Sequence, residues 1–120
     1  KKYLYDYLKS ANDTLVDNPG NIDEMRSEFF RMLSKVEDLF PSGFRKSANA
    51  NAVPRVRFEA IATGTALALR ENENLEVSLG EVVAKMAEKD FDRIVVSDGA
   101  NVRSKLEGRI GLVRSILLEE

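Results

Sequence analysis

Apolar residues recur at gaps of three and four through most of this chain, a period that belongs to helices burying one stripe each. The clearest run is Ile22, Met25, Phe29, Leu33, Val36 and Phe40, with gaps of 3, 4, 4, 3 and 4. It predicts an amphipathic helix starting near Ile22. The turn Asp17-Asn18-Pro19-Gly20 precedes it, and Pro41-Ser42-Gly43 ends it. Ahead of it, residues 2–16 read as a first helix, with Leu4, Leu8, Ala11 and Leu15 on one stripe.

A third helix is expected over about 54–71, with Pro54 suited to its first turn. From Ala60 to Leu69 it is apolar nearly all round, which predicts a central, buried helix with Ile61, Leu67 and Leu69 in the core. Ala60, Gly64 and Ala68 recur every four residues and open a path for another backbone; Gly108 has the same small-residue character. Ser78-Leu79-Gly80-Glu81 has the form of a capping box, so a fourth helix starts there and runs to about Lys89. Arg93-Ile94-Val95-Val96 is compatible with an extended stretch or with more helix. After the turn signal Asp98-Gly99, Asn101 can cap a last helix with Val102, Leu106, Ile110, Val113 and Leu117 on its stripe. The expected fold is all-α: about five helices in one compact bundle over residues 1–120, helix three at the centre. Because the chain begins at Lys1 and ends within or just after a helical pattern, it reads as a C-terminal piece of a larger protein.

Composition excludes much chemistry. There is no His and no Cys, so Ser-His-Asp triads, thiolate nucleophiles and ordinary zinc sites cannot be built within this chain. No catalytic residue, metal or cofactor is expected. The one carboxylate cluster with a nearby cation, Asp90-Phe91-Asp92-Arg93, lacks the strand framework of a magnesium-dependent nuclease site and reads better as a solvated helix end. The longest apolar run is about half the roughly 20 residues of a membrane-spanning helix. With no Cys, a reducing, cytoplasmic setting fits.

Charge is unevenly spread. Residues 41–58 carry Arg45, Lys46, Arg55 and Arg57 and no acid; residues 101–118 carry Arg103, Lys105, Arg109 and Arg114 against Glu107 alone; residues 71–92 hold seven acids and two lysines. If the basic segments meet, Arg45, Lys46, Arg55, Arg57, Arg103, Lys105 and Arg109 form a phosphate-binding face for weak, non-specific DNA contact. Alternatively they pair with the acids of helix four or with neighbours such as Glu59, and the net charge of −2 favours that pairing. The aromatic residues Tyr3, Tyr7, Phe29, Phe30, Phe40 and Phe58 fall mostly at core spacing; Phe44, in the basic loop, is the one candidate for base stacking.

Three stretches carry a resemblance: Phe40-Pro41-Ser42-Gly43-Phe44-Arg45-Lys46, Pro54-Arg55-Val56-Arg57-Phe58-Glu59-Ala60-Ile61-Ala62, and Ser97-Asp98-Gly99-Ala100-Asn101-Val102-Arg103-Ser104-Lys105-Leu106-Glu107-Gly108-Arg109-Ile110. Over roughly residues 40–115 the chain resembles the C-terminal helical part of a bacterial ParB-like family. That family is filed as domain-of-unknown-function family two-six-two and includes GmrSD-type restriction proteins. The resemblance implies that the parent acts in DNA-directed defence as a nuclease or NTPase. This piece would be its helical accessory part, contacting DNA, the rest of the parent or another copy. Neither the ParB-like Asp-Gly-Gln-Gln-Arg motif nor an HNH motif occurs here, so no catalytic role carries over. The competing expectation is a structural or oligomerisation module in which Ala60, Gly64, Ala68 and Gly108 set close helix packing.

Overall fold

The computed structural model describes residues 6, 8–10, 12–13, 21–95 and 103–120. The described residues between 6 and 13 are helical and are labelled α1. They are followed by α2 (Asn21–Leu39), α3 (Arg55–Glu71), α4 (Leu79–Glu88), a single-turn α5 (Phe91–Ile94) and α6 (Arg103–Leu117). The fold is all-α, with no strand among the described residues.

The third helix is central, as its apolar circumference predicts. Val56, Ala60, Ile61, Ala68 and Leu69 are all buried, and its most extensive contacts are with α6 and then α2. The four-residue spacing of small side chains explains the closeness of α6. A Cβ built on Gly64 would lie 2.6 Å from Val113 Cβ and 2.9 Å from the Ile110 carbonyl oxygen. The α6 stripe supplies Leu106, Ile110, Val113, Ile116 and Leu117 to the interior. At the far end of the pair, Arg114 Nη2 donates to both carboxylate oxygens of Glu71 at 2.7 Å. That hydrogen bond raises the pKa of Arg114 above its ordinary value.

Local signals behave as their chemistry requires. Pro54 stands at the N-cap position, just ahead of the first turn of α3, with φ −63° and no side-chain capping bond. At α4 the Glu81 amide donates to Ser78 Oγ at 3.2 Å and the Ser78 amide donates back to Glu81 Oε2 at 3.0 Å, a complete capping box. The turn after α2 needs Gly43 at φ +60°, a conformation glycine adopts without penalty. The Phe44 and Phe58 rings then pack 4.8 Å apart and hold this loop on the start of α3. Phe44 is thus engaged by another ring.

Of the two readings open for Arg93 and Ile94, the structure has the helical one, because Phe91 (1% exposed) anchors α5 in the core and Val95 is buried behind it. Other expectations are corrected. Gly108 serves no close packing: nothing lies within 4 Å of a Cβ placed there. Leu67 is half-buried rather than core. Of the predicted stripe, Val36 and Phe40 are buried and Leu33 is partly buried, while Ile22, Met25 and Phe29 are exposed, as are Phe30 and Phe58. Leu8 is exposed. Tyr3, Leu4, Tyr7, Ala11, Leu15, the turn at 17–20, Val96, Asp98-Gly99, Asn101 and Val102 lie outside the described residues.

Candidate interaction surfaces

The seven cations singled out in the sequence fall into separate places. Arg57 and Arg109 are buried, at 8% and 2% exposure. Arg55 and Arg57 are two residues apart on α3, so they point about 200° apart around the helix axis. Arg55 lies 3.7 Å from Glu59. This same side of α3 faces Arg109: burial lowers the Arg109 pKa from its usual value, Glu59 raises it, and Arg55 lowers it further. Arg103 Nε donates to Glu107 at 3.0 Å along the exposed face of α6. Lys105 is exposed on that helix. Arg45 reaches the Ala48 carbonyl at 3.5 Å and, like Lys46, is exposed.

Arg57 turns to the other side. Its Nη1 donates to Asp92 Oδ1 at 2.6 Å, its guanidinium lies 5.3 Å from the Phe91 ring centre, and its Nε is buried with no hydrogen-bond partner. The residues around it line a cleft of about 240 Å³ between the turn after α2, α4 and α5. Phe40, Val83, Met86 and Phe91 form its apolar wall; Ser42, Lys46, Asp90 and Asp92 supply polar groups. Of the seven cations, the fold therefore brings Lys46 and Arg57 to one cleft and Arg55 and Arg109 to the opposite flank of α3.

Asp90 and Asp92 are each engaged by an arginine. Arg93 holds Asp90 at 2.7 Å and Arg57 holds Asp92. Among the described residues, no three acidic side chains gather as a metal would require. A second cleft, of about 270 Å³ between α2 and α3, is bordered by the ion pairs Arg70–Glu28 at 2.8 Å and Arg31–Glu73 at 3.9 Å.

Among the described residues, an exposed apolar surface lies on the first half of α2. Ile22 (43% exposed), Met25 (36%), Phe29 (50%) and Phe30 (58%) present side chains outward, with the two rings edge to face at 6.0 Å. The helix has 19 residues, about 28 Å at 1.5 Å per residue. Its buried apolar residues, Met32, Val36 and Leu39, all belong to the second half. Periodicity alone missed this surface, since a stripe has the same spacing whether the chain or a partner covers it. The available signal was Phe30, which widens the stripe beyond what one packed helix needs.

Among the described residues, no helix is long and apolar enough to cross a membrane. Compared with known proteins, the chain matches no family model, no curated protein and no solved structure.

Proposed function

We propose that this chain is a non-catalytic helical interaction module that self-associates through the first half of α2. The observation that carries this reading is the contiguous exposure of Ile22, Met25, Phe29 and Phe30 on one amphipathic helix. Monomers rarely leave an apolar cluster of large side chains open to water without a use for it. A two-fold contact would lay the same face of each copy against the other, which one apolar patch satisfies by itself. Four side chains cover only part of the roughly 800 Å² per partner found in stable complexes, so the association is expected to be weak and concentration-dependent. Sedimentation over a range of protein concentrations tests it. Wild type should pass from monomer to dimer, and Phe29→Ser/Phe30→Ser should stay monomeric with its unfolding midpoint preserved. A wild type that stays monomeric throughout sinks the reading.

DNA contact is the second reading, drawn from the resemblance and from the exposure of Arg45, Lys46 and Lys105. Three phosphate contacts give a log–log salt slope of about −2.7, at roughly −0.9 per neutralised phosphate. A much steeper slope in a duplex-binding titration would mean that Arg55 and Arg103 leave their glutamates to join in. No salt-dependent binding at low ionic strength would remove DNA from the account.

A further inference from the structure

We propose that the cleft floored by Arg57 is a carboxylate-binding site that takes an acid group carried beside an apolar side chain, as at the C-terminal residue of a peptide. It lies at the opposite end of α2 from the self-association face and is independent of it.

The argument begins with Arg57. An arginine nine-tenths buried is costly unless its donors are used, and apolar replacements commonly stabilise such positions. Arginine–carboxylate pairs are frequently two-pronged, matching the fork of the guanidinium. Here Asp92 accepts through one oxygen, from Nη1, and Nε has no partner. The guanidinium of this cleft-lining residue therefore has one donor, the enclosed Nε, that no protein group uses. It is also held in place from below by the Phe91 ring.

Asp92 shows what the floor accepts. Its side chain is 56% exposed and sits on a one-turn helix, so it can swing into water when an incoming carboxylate takes its place on Arg57 Nη1. Its carboxylate stands where an incoming carboxylate would stand. The charged side chains that line the cleft balance, Lys46 and Arg57 against Asp90 and Asp92, and Arg93, outside the lining, neutralises Asp90. The wall beside the guanidinium is apolar, with Val83 and Met86 facing the cleft. Size then selects the ligand. At about 240 Å³ the cleft is smaller than the roughly 300–1,000 Å³ pockets of drug-sized molecules, and it suits one amino-acid residue.

An amide NMR titration with N-acetyl-leucine, N-acetyl-leucinamide, a hexapeptide ending in leucine, and inorganic phosphate tests this. N-acetyl-leucine should shift Gly43, Val83 and Asp92. The leucinamide, lacking the acid, should bind at least about tenfold more weakly, the equivalent of one charge-assisted hydrogen bond. Asp92→Asn should tighten binding by removing the internal competitor. Lys46→Ala, at an exposed position, should weaken it a few-fold with an unchanged circular dichroism spectrum. A hexapeptide that binds more tightly than N-acetyl-leucine assigns a peptide terminus, and equal affinity assigns a small apolar acid. The proposal is overturned if acid and amide bind alike, if phosphate binds as well as the acid, if none of the probes binds, or if Asp92→Asn weakens binding.

Discussion

Replacing Gly64 by alanine is expected to lower the unfolding free energy by about 1–3 kcal/mol, the usual cost of forcing atoms into a packed interior. Two effects oppose each other. Alanine is the better helix former by about 0.8–1 kcal/mol, which by itself would stabilise α3. Against it, the new methyl group would sit 2.6 Å from Val113 Cβ and 2.9 Å from a backbone oxygen, distances at which something has to move. Backbone cannot rotate away as the end of a long side chain can, so α6 must shift and the packing loss wins. Gly108→Ala provides the control. That glycine is exposed within α6 and a methyl group there meets nothing within 4 Å, so the same change should stabilise by roughly 0.5–1 kcal/mol. Urea unfolding of the two variants should therefore shift in opposite directions. Equal shifts would show that helix propensity, and not the α3–α6 approach, governs both sites.

Ile61→Ala should cost more, about 2–5 kcal/mol, because Ile61 is 0% exposed and its removed atoms leave a cavity bounded by other core side chains. Leu67→Ala removes a similar volume from a half-buried position, where the neighbouring surface can relax and water can enter. Its cost should be clearly smaller. The comparison checks the orientation of α3: both residues are apolar and six positions apart, and only the fold distinguishes them. Denaturant midpoints at constant slope give the two values directly. A larger loss at Leu67 than at Ile61 would mean that α3 is rotated about its axis.

The sequence revealed the helices and the identity of the central one for physical reasons that are local. Apolar spacing, Pro54, the Ser78–Glu81 box and the small residues flanking Gly64 each act within one or two turns. What sequence did not reveal depends on which elements meet. Ile22 and Val36 belong to one stripe, yet among the described residues only Val36 is covered. Arg55 and Arg57 look alike on paper and diverge through the 100° turn per residue of the helix that carries them. Gly108 resembles Gly64 as a small residue and differs only in having no neighbour. By sequence, Arg57 belongs either to a phosphate-binding face or to a pair with an acid. Its burial depends on Asp92 and Phe91, 34 or 35 positions downstream, and no local pattern links them.

The helix that closes against Gly64 is made after the other described helices. Gly64 and Val113 are separated by about 50 residues, and joining such ends costs on the order of 3–4 kcal/mol in loop closure before any contact repays it. A ribosome releases this chain from its N-terminal side, so α3 emerges well before the surface that will cover it. Throughout the synthesis of α4, α5 and the start of α6, one apolar flank of the central helix has no native cover. During that interval the nascent chain is most open to misassociation and to capture by chaperones.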